Sequence, residues 1–187
     1  MLDKNELRRL LKALRKSLSV NQRAEYNEKI FQQVIKLPSY QKATWVYCYI
    51  TTQSEVDCVP IIKKALQDGK RVAVPRIDKD GMEFYEIKDL AECVEGTFHI
   101  YEPTTNRLVK PEGTEKTFIV VPGLAYDYMK NRMGYGKGYY DRYFQKYGEE
   151  KFERIAIAYD LQIVKEIPCE PTDVKVDQII TEYKIYS

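Results

Sequence analysis

Short β-branched runs separated by helix-length amphipathic segments govern how this chain can fold. Residues 44–50 (TWVYCYI), 71–75 (RVAVP) and 117–122 (TFIVVP) are apolar, β-branched or aromatic, and too short for helices, so they predict buried strands. Residues 154–159 (RIAIAY) and 178–181 predict two more. Residues 82–87 alternate after the turn Asp78-Lys-Asp-Gly81 and predict an edge strand. Between these lie helical patterns. Leu7, Leu10, Leu11, Leu14 and Leu18 share one helical face over residues 3–18. Ser19 or Asn21 caps a second helix reaching about residue 36 and stopping before Pro38. A third carries Pro60 in its first turn and ends at Gly69, and a fourth spans 138–147, after a loop at 123–133. Strands alternating with helices imply an α/β class. The expectation is a single three-layer domain over 1–187, with a mostly parallel, Rossmann-like sheet flanked by helices.

Charge divides unevenly along this frame. The 187 residues carry a net +2, but residues 1–16 alone hold six bases against two acids, so the remainder is slightly acidic. A duplex-binding protein needs a wider basic footprint, so nucleic acid is not expected as a partner. The basic residues of the first helix, Lys4, Arg8, Lys12 and Arg15, form a stripe opposite the leucines, suited either to solvent or to a local anion site. Apolar residues at 44% and charged residues at 31% argue against disorder and fibres. No apolar run approaches the roughly 18–20 residues of a membrane span, and the N-terminal stretch lacks the apolar core of a signal peptide. A cytoplasmic monomer without a membrane partner is expected. Cys48, Cys58, Cys93 and Cys169 form no CxxC pair, so they are read as small buried residues rather than a zinc set, and His99 as structural.

The chemistry concentrates in residues 131–142, NRMGYGKGYYDR, which follow the strongest strand and lead into a helix. Ligands of open α/β sheets bind outside the carboxyl ends of strands. Gly134, Gly136 and Gly138 let backbone N–H groups converge on an anion; Arg132 and Lys137 add positive charge, and the helix start adds its dipole. This predicts a phosphate cradle, though neither the GxxxxGK[ST] nor the GxGxxG pattern is present. Asp141, one turn into the helix, suits either Mg²⁺ beside phosphates or simple dipole compensation. The segment QSEVD at 53–57 also follows a strand; a carboxylate there suits the N–H groups of a heterocycle, whereas Ser54 or Asp57 suits a helix cap. Asp173 and Asp177 precede the strand at 178–181 and offer further metal-directed carboxylates, and Tyr139 and Tyr140 flank the loop beside any planar ligand.

The stretch VPGLAYDYMKNRMGYGKGYYDRYF resembles the signature of the 5-formyltetrahydrofolate cyclo-ligase family. KxxLR at Lys4–Arg8, SEVD, GKRVAVPRI, YEP at 101–103 and VDQIITE follow the same family order, so the resemblance covers roughly residues 3–182. It implies MgATP-driven closure of 5-formyltetrahydrofolate to 5,10-methenyltetrahydrofolate, with ADP and phosphate released. It further implies ATP contacts from Lys4, Arg8 and the loop Arg132, Gly134, Tyr135, Gly136, Lys137, Gly138, Tyr139 and Tyr140, with Lys137 and Arg132 acting on the transferred phosphoryl group. The folate side would fall to Ile50, Glu55, Tyr135 and Tyr139, and Mg²⁺ to Asp141 and Asp177. The open alternatives are a small-molecule kinase using the same cradle and a non-enzymatic nucleic-acid binder.

Overall fold

The computed structural model describes residues 3–51, 54–96, 101–114 and 116–187; His99 and Gln53 lie outside the described residues. The helices are α1 (Lys4–Ser17), α2 (Val20–Val34), α3 (Pro38–Lys42), α4 (Val59–Gln67) and α5 (Tyr139–Tyr147). The strands are β1 (Trp45–Tyr47), β2 (Arg71–Asp78), β3 (Gly81–Ile87), β4 (Cys93–Glu95), β5 (Tyr101–Pro103), β6 (Leu108–Val109), β7 (Thr117–Val121), β8 (Ala125–Asp127), β9 (Arg132–Met133), β10 (Phe152–Ile157), β11 (Ile163–Val164), β12 (Gln178–Ile180) and β13 (Ile185–Tyr186).

Eight strands form the main sheet in the order β13-β12-β10-β7-β1-β2-β3-β6. The five central strands are parallel, and β13, β3 and β6 join antiparallel at the flanks. The strand order turns back between the parallel neighbours β1 and β7, so the connections leaving their carboxyl ends run to opposite sides and leave a crevice where α/β sheets take ligands. Alternation along β7 builds the layers. Phe118 and Val120 pack with Ile30, Val34, Tyr40, Ile61 and Ile62 of α2, α3 and α4. Ile119 and Val121 pack with Tyr140, Tyr143 and Phe144 of α5 on the other face. Every residue of β7 is buried, as its unbroken apolar run requires.

Helix starts follow local chemistry. Asp3 caps α1 and Ser19 caps α2, each in a reciprocal capping box, with Glu6 and Gln22 respectively. Pro60 lies in the first turn of α4, where its missing N–H costs nothing.

Four expectations change. Residues 82–87 are not at an edge, because β6 pairs onto β3 through Phe84–Val109 and Tyr85–Leu108. Residues 123–133 are not a plain loop: β8 and β9 pair as a hairpin, and β11 adds to β8. The buried Asp127 closes that hairpin, accepting from Met129 N, Asn131 N, Asn131 Nδ2 and Ile167 N. The apolar face of α1 is rotated from the leucine stripe. Leu7 and Leu11 pack on Leu124, Ala125, Met133 and Ile167 of this small sheet, while Leu10 and Leu14 are exposed. A three-stranded platform meets one i, i+4 ridge of the helix, so only that ridge is covered. Among the four free cysteines, Cys48, Cys58 and Cys93 are buried as expected, and Cys169 is exposed.

Candidate active site

The crevice at the β1/β7 divergence opens into a cavity of about 930 Å³. Three chain segments supply its polar wall: α1, the loop after β1, and the glycine loop leading into α5. Lys4, Arg8, Ile50, Glu55, Arg132, Gly134, Tyr135, Gly136, Lys137, Gly138, Tyr139, Tyr140 and Asp141 all line it, although they come from three distant parts of the sequence. Pro75, Ile77 and Met82, from β2 and β3, give the opposite wall an apolar surface. Asp177 is not on the wall. It sits at the amino end of β12, where its carboxylate accepts from the Arg154 backbone N (2.7 Å), Nε (3.0 Å) and Nη2 (2.9 Å).

Arg132 forms part of the cavity wall and is itself buried. Its Nη2 donates to Asp141 Oδ1 at 2.6 Å and its Nη1 to Pro122 O at 3.3 Å, while Nε makes no hydrogen bond. Asp141 Oδ1 also accepts from Val174 N at 3.1 Å. Both of these bonds use one oxygen, and Oδ2 accepts none from a described residue. Gly134 has to be glycine here: a Cβ would lie 2.9 Å from Arg132 Nη1. At Gly136 the backbone takes φ +97, a region that suits glycine, and the Arg8 guanidinium lies 3.5 Å from where a Cβ would stand. Arg8 Nε donates to Gly134 O at 3.1 Å, so α1 is latched to the loop. Gly138 occupies the N-cap of α5, and the helix start opens on the cavity. Lys137 is exposed and makes no ion pair with a described residue, whereas Lys4 bridges Glu170 (2.8 Å) and Asp173 (3.3 Å). The Glu170 bond, assisted by Asp173 and opposed by partial burial, holds the Lys4 ammonium pKa above its ordinary value.

The heterocycle side is built around Glu55. Tyr135 donates its hydroxyl to Glu55 Oε1, and Arg15 Nη1 donates to the same hydroxyl at 2.9 Å. The Tyr135 residue is 39% exposed, but its phenol end is enclosed between these groups. Burial, with the Glu55 charge, pushes the phenol far above its ordinary pKa, so it stays a donor. Ser54 does not cap α4; its Oγ accepts from Arg15, and Asp57 Oδ1 takes the Val59 N–H instead. Tyr140 is a wall residue whose buried hydroxyl has no hydrogen-bond partner among the described residues, and burial raises its pKa strongly.

A crevice that sets a cationic glycine loop against a carboxylate and an apolar wall agrees with what a family model reports over residues 1–182, namely the 5-formyltetrahydrofolate cyclo-ligase family. The chain belongs to the 5-formyltetrahydrofolate cyclo-ligase family. A Caenorhabditis elegans relative named probable 5-formyltetrahydrofolate cyclo-ligase is 30% identical, over 96% of this chain and 92% of its own. The solved structure of Aquifex aeolicus 5,10-methenyltetrahydrofolate synthetase superposes with a TM-score of 0.85 at 32% identity, covering 97% of this chain and 91% of that one. A Mycoplasma pneumoniae 5,10-methenyltetrahydrofolate synthetase structure superposes at 0.78 with 25% identity, covering 97% and 99%.

Within this cyclo-ligase fold, sequence reasoning missed Arg15. The sequence places it in the basic stripe opposite the leucines, facing solvent or an anion, yet it is only 3% exposed. The signal was present: Leu7, Leu11 and Arg15 are spaced i, i+4, i+8, so an arginine follows the two leucines of the buried ridge.

Proposed function

We propose that this protein closes 5-formyltetrahydrofolate to 5,10-methenyltetrahydrofolate at the expense of ATP, releasing ADP and phosphate. The observation that carries the reading is the single cavity joining a positively charged glycine loop to Glu55 and an apolar wall. Family membership and the names of the relatives point the same way.

An N-formyl oxygen is amide-like and a poor leaving group. In the proposed reaction it attacks the γ-phosphorus of ATP and ADP departs. N10 then adds to the activated formyl carbon and loses its proton, and the carbon–oxygen bond breaks as phosphate leaves. The protein's work is alignment and charge neutralisation. The backbone N–H groups from Gly134 to Gly138, with Lys4, Arg8 and Arg132, hold the triphosphate. Lys137, free of ion pairs with described residues, meets the charge that grows on the transferred group. Glu55 accepts from the pterin N–H groups, Ile50 and the apolar wall cover the rings, and Tyr135 and Tyr139 lie between the two ligands.

Mg²⁺ is usually held by one or two carboxylates plus phosphate oxygens, rather than by a cage of protein ligands. Asp141, with Oδ2 unused and Oδ1 fixed on Arg132, fits that requirement; among the described residues no cluster of three metal-ligating side chains exists. The ion supplies charge neutralisation on the phosphates when bound. Asp177, committed to Arg154, holds the fold instead.

The structure also bears on the alternatives. Lys4, Arg8 and Lys12 line the cavity and Arg15 is buried, which draws four of the six N-terminal bases toward the pocket and leaves Arg9 and Lys16 on the outer face. The deciding experiment mixes protein, MgATP and 5-formyltetrahydrofolate. The near-ultraviolet methenyl chromophore should rise together with free phosphate in the phosphorus NMR spectrum. A phosphorylated product that keeps its phosphoryl group would instead mark a kinase.

A further inference from the structure

Arg15 is a cation placed where a cation is expensive. Buried guanidinium groups cost several kcal/mol unless charge and hydrogen bonding compensate them. Among the described residues Arg15 makes no ion pair. Its donors go to two hydroxyls: Nε and Nη2 to Ser54 Oγ at 3.2 and 2.9 Å, and Nη1 to Tyr135 Oη at 2.9 Å. The guanidinium carbon also lies 5.8 Å from the centre of the Tyr135 ring. Tyr135 in turn donates to Glu55 Oε1. Among the described residues the Glu55 carboxylate is linked to Arg15 by hydrogen bonds through the phenol, and a hydroxyl that accepts from a cation becomes a stronger donor. Ser54 and Glu55 are neighbours in sequence, so Arg15 grips this loop twice: directly at Ser54, and through Tyr135 at Glu55. Three segments far apart in the chain, α1, the loop after β1 and the glycine loop, meet in this one network.

We propose that Arg15 is a positioning residue for folate recognition, holding the Glu55 carboxylate in its receiving orientation by way of Ser54 and Tyr135. The inference rests on the function proposed above. Arg15 itself does not line the cavity; its effect is transmitted. A network that fixes one oxygen of Glu55 and the loop beneath it removes the freedom that substrate binding would otherwise have to freeze.

The test is steady-state kinetics and calorimetry on the full chain. Arg15→Met keeps the apolar stem and removes every donor. Its KM and Kd for 5-formyltetrahydrofolate should rise at least tenfold, with KM for ATP within twofold of the parent. Arg15→Lys should recover part of this loss, because one ammonium can reach Ser54 or Tyr135 but replaces the fork poorly. In the double variant Arg15→Met/Tyr135→Phe, the loss of folate affinity should be smaller than the sum of the losses in the two single variants. Ser54→Ala, an exchange that leaves the helix intact, should raise the folate KM about threefold and decides the matter if Arg15→Met fails to fold. Parental folate KM in the folded variants, or equal losses toward ATP and folate, overturns the proposal. A parent protein that binds no 5-formyltetrahydrofolate overturns the functional reading first, and this inference with it.

Discussion

At Lys137 the site keeps a charge in reserve. Three other cations of the cavity wall are engaged: Arg132 on Asp141, Lys4 on Glu170 and Asp173, and Arg8 on Gly134 O. Lys137 alone among these four has no such bond to a described residue, and it lines the cavity beside the three loop glycines. Lys137→Ala should therefore lower turnover at least 100-fold, about 2.7 kcal/mol of barrier; single-turnover rates near the parental value would remove it from the phosphoryl-transfer step. Gly134 tests shape rather than charge. A methyl group there meets Arg132 Nη1 at 2.9 Å, and that guanidinium is buried and tied to Asp141 and Pro122 O. Gly134→Ala should push Arg132 off its seat, weakening binding of a non-hydrolysable ATP analogue about tenfold, roughly 1.4 kcal/mol by calorimetry. Asp141 and Asp177 separate in the same spirit. Asp141→Asn should raise the magnesium needed for half-maximal activity, whereas Asp177→Asn should leave that titration where it was, and a shift in the second would restore Asp177 to the metal set.

Between elements, Asp177 instead ties β12 to β10. Burial works to raise its carboxyl pKa, but the side-chain and backbone bonds from Arg154 outweigh it and hold the group below the usual aspartate value. A carboxyl lowered in the folded state adds stability that is complete above the ordinary aspartate pKa of about 3.9 and fades as pH falls through the native value. Asp177→Asn should thus cost about 1–2 kcal/mol near neutrality, between an exposed and a buried pair. In urea titrations the gap from the parent should be constant from pH 7 to 5 and narrow below about pH 4; a gap that grows in acid would reverse the assignment. The same scale shows why some elements were legible in the sequence and others were not. Runs such as TFIVVP are strands by composition, and the caps at Asp3 and Ser19 are local chemistry. The glycine loop was legible for the same reason: its spacing is contained within nine residues, Arg132 to Tyr140. The β8–β9 hairpin is closed locally by Asp127, but the bond from Ile167 N, forty residues on, and the pairing of β11 onto β8 belong to no local pattern. The inward turn of Arg15 likewise depends on which ridge of α1 meets the small sheet: Leu7 and Leu11 lie on it, whereas Leu10 and Leu14 widen the leucine stripe away from it.

Taken whole, the molecule brings the residues proposed for both substrates into one crevice, beside the point between β1 and β7 where the strand order turns back. The loop leaving β1 brings Glu55, the loop leaving the β8–β9 hairpin brings the glycines, and α1 lies across both through Arg8 and Arg15. Ligands that bind only the folded state stabilise it by RT ln(1 + [L]/Kd), about 2.7 kcal/mol at a hundredfold excess over Kd. For a chain of this size that is an increase in Tm of about 5–10 °C for either ligand alone. Independent half-sites would add these free energies. Here Tyr135 belongs to the glycine loop proposed for the nucleotide and is bonded to Glu55, the carboxylate proposed for folate, so ordering either side orders part of the other, and the second ligand has less freedom left to remove. A non-hydrolysable ATP analogue with magnesium should therefore tighten 5-formyltetrahydrofolate binding, and folate should tighten the analogue by the same factor, as linkage requires. About fivefold, near 1 kcal/mol, is the expected size. Scanning calorimetry with each ligand and with both should show a joint stabilisation exceeding the sum by that amount. Added salt should weaken the nucleotide's share more than the folate's, since the nucleotide's wall is the charged one. Strict additivity would mean that the Tyr135–Glu55 bond carries no message between the two halves of the cavity.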